Sequence, residues 1–174
     1  DDFAAAKAVT EHLLDLGHRR IACLTGPIFA PWAQERYEGY RRALMEHGLE
    51  VDEKLVFQAG ATIEEGAAAA LQFINEQPKA TAMIAANDLV AFGAANTLLD
   101  QGIPIPQDLS IAGFGNVLSA EYFRVPLTTV RQPKYRRGLA AMESMKSLLA
   151  GESVSPKRLL AELTIRKSTA APAV

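Results

Sequence analysis

The chain has 174 residues, enough for one sizeable domain or one and a half small ones. Its 49% hydrophobic and 22% charged content is that of an ordinary globular domain, not of a disordered chain. A net charge of −2, with Lys and Arg scattered along the chain, leaves no basic face for direct nucleic-acid binding.

The elements follow in order. Phe3 to Leu16 carries Phe3, Val9, Leu13 and Leu16 at helical spacing after aspartates suited to an N-cap, and Gly17 ends it. Arg20 to Thr25 (RIACLT) is a continuous apolar run, the pattern of a strand covered on both faces, broken by Gly26 and Pro27. Its Cys23 is the one cysteine, so no intramolecular disulfide forms, and no Cys/His cluster offers zinc a site. Gln34 to His47 is helical, with Gly48 as its stop. The unit then recurs: strand at Leu55 to Gln58, helix at Ile63 to Asn75, strand at Thr81 to Ala86, helix at Asp88 to Gln101, strand at Leu109 to Phe114. Alternation of this kind predicts an α/β fold, a parallel sheet with helices on both faces. Pro133 to Ala150 follows as a helix with a stripe of Tyr135, Leu139, Met142, Met145 and Leu149. Arg158 to Lys167 alternates as an edge strand or an interdomain segment would, and the tail STAAPAV is expected to fray. No apolar run reaches membrane-span length, and the opening DDFAAAKAV lacks a signal-peptide layout, so a cytoplasmic protein is expected.

Ligands of open α/β sheets sit beyond the carboxyl ends of the strands. Here those tips are Gly26-Pro27 with the loop to Trp32, Gly60-Ala61, Asn87-Asp88 and Gly115-Asn116. Gly113-Phe114-Gly115 is not a dinucleotide fingerprint, because the third small residue it requires is Leu118. There is no P-loop and no Gly-x-Ser-x-Gly elbow, and His12, His18 and His47 fall on helix faces or ends away from the tips. No enzyme, metal or cofactor is therefore expected. Asp88 reads as the N-cap of its helix. Asn87 has two readings, structural or ligand-binding, since its amide both donates and accepts. Arg36 is either a contact at the first tip or a solvent-facing arginine; Trp32 is either a stacking platform or a loop anchor.

Taken together, LLDLGHRRIACLTGP, RYEGYRRAL, AMIAANDLVAFGAANTLLDQGIPIPQDLSIAGFGN and VPLTTVRQP resemble the lac repressor family (LacI/GalR type) of bacterial transcription regulators. The resemblance runs from Asp1 to about Thr169. It implies a periplasmic-binding-protein-like (type I) lobe truncated at its N-terminus. Residues 1–130 would be the C-terminal lobe of an effector-binding core, 131–151 a crossover and a helix belonging to the N-terminal lobe, and 152–174 a return strand and tail. It further implies a small-molecule effector (a sugar, sugar acid or sugar phosphate), a homodimer, no membrane, and operator DNA bound through an N-terminal helix-turn-helix outside this chain. Position by position, Arg36 and Asn87 match effector-contacting residues and Trp32 lies in a contributing loop. Gly115 stands where many sugar-responsive members have an aspartate. Phe92, Asn96 and Phe123 fall on surfaces that resemble the dimer interface. The alternative with the same architecture is a periplasmic-type sugar-binding protein for transport.

Overall fold

In the computed structural model, which describes residues 1–173, six strands form one sheet in the order β2-β1-β3-β4-β5-β6. They are β1 (Ile21–Thr25), β2 (Val56–Gln58), β3 (Ala82–Ala85), β4 (Ser110–Phe114), β5 (Thr128–Arg131) and β6 (Glu162–Thr164). The first five run parallel, and β6 closes the edge antiparallel to β5, with Val130 opposite Leu163. Ile21–Leu24, β3 and β4 are buried throughout, as strands covered on both faces must be.

Helices α1 (Asp2–Asp15) and α2 (Pro31–Glu46) cover one face. Val9, Leu13, Leu14, Tyr40 and Leu44 pack there against Ile21, Cys23, Ile84 and Phe114. Helices α3 (Ile63–Glu76) and α4 (Asp88–Asp100) cover the other, with Phe73, Val90, Ala91 and Leu98 against Leu24, Met83 and Ile111. At Gly93 an added Cβ would run into the Ile63 carbonyl, so the α3–α4 crossing needs glycine there. A Thr62–Glu65 capping box starts α3.

Four features differ from the sequence reading. Helix α2 begins at Pro31, because proline at N1 forgoes an amide the first turn would leave unpaired anyway. The segment VPLTTVRQP holds a buried parallel strand, β5, where four residues are too few to register as a periodic pattern. Only Glu162–Thr164 of the alternating stretch at 158–167 pairs with the sheet. The tail, expected to fray, is held at Ser168 to Ala170, while Val174 lies outside the described residues: Ser168 is fully buried, and its carbonyl accepts from the Ile111 amide (2.8 Å). Strand β5 joins β4 only from Ala112 onward, so the tail takes up the polar groups of Ser110 and Ile111 that β5 does not reach.

Helix α6 (Lys134–Leu149) has no buried residue, and Tyr135 and Leu149 are 79% and 81% exposed. Short helix α5 (Ser119–Tyr122) tucks Ala120 into the core below α4. No helix among the described residues is long and apolar enough to cross a membrane, and no His/Cys/Asp/Glu group among them could hold a metal ion.

Candidate functional site

Strand order reverses between β1 and β3, since β2 lies to one side and β4 to the other. The crevice beyond their carboxyl ends is where open sheets hold ligands. The residues that meet there come from the first turn of α1, the first two turns of α2 and the ends of β3 and β4.

Arg36 is the centre of this cluster. Its Nε and Nη2 donate to one oxygen of Asp2 (2.8 and 2.6 Å), and its Nη1 donates to the Ala86 carbonyl. The guanidinium lies 3.5 Å from the Phe114 ring centroid and 4.7 Å from that of Trp32. Its side chain is only 14% exposed, so it is not a solvent-facing arginine. Burial lowers its pKa, opposed by the Asp2 carboxylate, and it remains a cation. An arginine packed between aromatic faces and tied to a carboxylate has little rotamer freedom left to lose, so its remaining N–H groups are pre-aimed.

Asp2 is the member that sequence reasoning missed. Of the two opening aspartates, Asp1 is the N-cap of α1, accepting from the Ala4 amide (2.9 Å). Asp2 is thereby free to serve Arg36. The available signal was a second acidic residue with no capping duty, beside a tip arginine that needs a counterion. Asp2 and Phe114 line a cavity of about 310 Å³, whose other walls include Glu35, Arg137, Lys157 and Arg158. Arg158 faces Asp1 and Glu35 (3.5 and 3.3 Å). Arg36 borders the inner side, a void of about 20 Å³ next to Cys23, Tyr37 and Tyr40. Trp32 is half-buried, and its ring fills the space that a Cβ at Gly26 would occupy.

Asn87, rather than Asp88, is the N-cap of α4. Its Oδ1 accepts from the Val90 amide (2.9 Å), and its Nδ2 donates to the Ala61 carbonyl (3.0 Å). Asp88 is buried, accepting from the Thr129 hydroxyl and from the Val117 amide (2.8 Å). Burial raises its carboxyl above the usual range, opposed by those two bonds and by Lys134 and Arg166. Asn takes the cap because the residue before the helix is extended, while the first helical residue turns inward against the sheet. This also explains Gly113-Phe114-Gly115. A Cβ at Gly113 would lie 2.5 Å from the Asp88 Oδ1, and Gly115 sits at φ +136°. The glycines make room for a buried carboxylate and turn the chain out of β4.

Beyond Gly115 opens a second cavity of about 420 Å³, lined by Asn116, Arg131, Gln132, Lys134 and Arg136 among others. Gln132 and Pro133 border both cavities, so the two are neighbours along the sheet tips. On the far face, Phe92 is buried and stacks on Phe123 of the same chain, centroids 4.6 Å apart. Asn96 is half-buried. The apolar side chains left exposed on these elements are Leu89, Leu118 and Tyr122.

Comparison with known proteins matches residues 10–169 to the family model described as periplasmic binding protein-like domain. The chain is 36% identical over 173 residues to the HTH-type transcriptional repressor CytR of Escherichia coli K12, covering 98% of this chain and 51% of that one. It is 34% identical to the regulator CelR of Thermobifida fusca, covering 97% and 50%. The chain thus spans about half the length of these curated relatives. Among solved structures, a LacI family regulator from Mycobacterium smegmatis superposes with a TM-score of 0.93 at 34% identity, covering 99% of this chain and 65% of that one. A sugar-binding LacI family regulator from Escherichia coli, complexed with phosphate, gives 0.92 at 31%, covering 99% and 62%.

Proposed function

The chain belongs to the periplasmic binding protein-like family, in its lac repressor branch, and on that premise we propose that it is the effector-binding core of a DNA-binding transcriptional regulator. The observation that carries the proposal is the Arg36 cluster at the switch point, a buried cation held rigid by Asp2, Phe114 and Trp32 beside an open cavity. Such a group binds an oxygen-rich ligand without first losing entropy, and it lies where two lobes would close. No catalytic step is proposed. The named relatives are transcriptional regulators, which favours this reading over a transport-binding protein.

The effector we favour is a sugar acid or a phosphorylated sugar. Asp2 already balances Arg36, so the positive charge that supports this choice comes from Lys134 and Arg136 around Gly115, a position without a side chain to repel an anion. Solved relatives have cellobiose, ribose and phosphate bound, so the oxygen-rich class is common ground. The ligand would meet Arg36 and Asp2 directly, Trp32 through its loop, and Asn87 and Gly115 at the rim. A homodimer would form over α4 and α5, where Leu89, Leu118 and Tyr122 are exposed beside the half-buried Asn96 and Phe123, with Phe92 buried beneath them. Operator DNA would be held by a helix-turn-helix outside this chain, in a cytoplasmic protein, with residues 131–151 crossing to a second lobe. Calorimetric titration with neutral sugars, their acids and their phosphates tests the reading. The acids or phosphates bind, and Arg36→Ala weakens them by about 2 kcal/mol. Binding of neutral sugars alone removes the anionic class, and silence across all three removes the effector site.

A further inference from the structure

The tail crosses the base of the sheet, at the opposite end from the cleft. Its Lys167 amide donates to the Pro126 carbonyl (3.0 Å), and the Ser168 hydroxyl accepts from the Thr128 amide (2.8 Å) and donates to the Ile111 carbonyl (2.6 Å). The Ala170 amide donates to the Ser110 hydroxyl (3.0 Å), and Pro172 packs near Gly17. Two histidines of the first helix and its exit close the arrangement. His18 is 1% exposed, with Nε2 2.8 Å from the Ala170 carbonyl and Nδ1 2.8 Å from the Thr81 hydroxyl. His12 Nε2 lies 3.1 Å from the Thr169 hydroxyl, itself 3.0 Å from that of Thr128.

We propose that residues 167–172 form a strap, held across the base of the sheet by the neutral imidazoles of His12 and His18 and released when these rings take up protons. A carbonyl only accepts, so His18 Nε2 carries its hydrogen and Nδ1 accepts from Thr81. Both ring nitrogens are thus satisfied in the neutral form. A second proton would reverse the Thr81 hydroxyl and place a cation in a buried site, a cost that the bond to the Ala170 carbonyl opposes without cancelling. Asp15, on α1, is the carboxylate acting on His12, and His12 is the titratable group acting on His18. Arg19, next in the chain, spends its guanidinium on the Leu14 and His18 carbonyls. Burial holds both rings below the ordinary histidine range. Two protonated rings would also repel each other across adjacent strap residues, Thr169 and Ala170. The strap is the part that yields, because it contributes small side chains while the strands behind it form the core.

The strap continues toward the cleft. Arg166 donates its amide to the Thr128 hydroxyl (2.9 Å) and its guanidinium to the Leu127 carbonyl and the Asn116 Oδ1 (2.7 and 2.8 Å). Release at the base would therefore loosen a residue bonded beside Gly115. The inference does not rest on the effector reading.

Amide hydrogen exchange at pH 7.5 and 5.0, corrected for intrinsic exchange, tests it. The Ile111, Thr128 and Ala170 amides, which bond to or lie in the strap, lose about tenfold or more of their protection at the lower pH, while Ala22–Leu24 and Met83–Ala85 keep theirs. In the His12→Gln/His18→Gln variant the difference between the two pH values disappears. Titration of the imidazole resonances in the unaltered protein decides the matter independently of that variant: strap opening shares its midpoint with a ring transition below about 6.5. Equal protection at both pH values, simultaneous loss in the strap and the central strands, or a midpoint apart from both rings overturns the proposal.

Discussion

At the carboxyl ends of the strands Arg36 and Asp2 meet as charges, sealed by two aromatic rings, beside an open cavity. At the amino ends His18, Ser110, Thr128 and Ser168 meet as neutral groups, and the chain's own tail fills the space. Both ends face one problem, that strands stop before their polar groups are all paired. The cleft end meets it with ionised side chains, Arg36 held by Asp2 beside an open cavity. The base meets it with hydroxyls and imidazoles whose valences are already spent. Charge stays at the end that opens on a cavity, and neutrality rules where the chain itself fills the space.

That contrast can be broken at several points. The largest effect is expected from Asp2→Ala, which leaves the buried Arg36 cation without its carboxylate; urea denaturation should show a loss of about 3 kcal/mol. Arg36→Met should cost less, because the stranded Asp2 is the more exposed partner and water can reach it; if the order is reversed, the charge at the cleft is not the buried one. Next comes the base. Ser168→Ala strands the Thr128 amide and should cost about 2 kcal/mol in the same measurement, and a neutral result would show the strap to be ornamental. Asn87→Ala removes the α4 cap and the tie to Ala61, for about 1 kcal/mol.

The gentlest effect is on pH. His12 and His18 have folded pKa values below that of the unfolded chain, so the unfolded chain binds their protons first. Their contribution is complete above the unfolded value, about 6.5, and is lost as pH falls through the folded values. Thermal melts between about pH 7.5 and 5 should therefore show a falling midpoint. Asp88 runs the other way: its raised carboxyl is protonated in the fold before it is in the unfolded chain, so at still lower pH it offsets part of the loss. A midpoint that holds constant from pH 7.5 to 5 would remove the histidines from the stability of the base.

The layered α/β class was legible because continuous apolar runs alternate with amphipathic ones, and those periods are local. Gly17, Gly48 and Gly102 mark helix ends by their positive φ, which is local too. Strand β5 was missed because four residues between prolines, three of them buried, carry no period. The tail was misjudged for a similar reason: small polar residues look like a loose end until Ile111 and Thr128 are seen to need them.

What the sequence determined by itself was the order of the first four strands and of the helices between them, and the set of strand tips, with Arg36, Asn87 and Gly115 at or near them. Only the tertiary structure decided what those residues do. Asn87 turned to capping, Asp88 turned inward, and Asp2, from the preceding helix, neutralised Arg36. The physical reason is the range of the forces involved. Hydrophobic period and backbone preference act within a few residues, whereas a buried charge or an unpaired amide is satisfied by whatever the fold brings near it, in this molecule 34 residues away for Asp2 and Arg36 and 152 for His18 and Ala170.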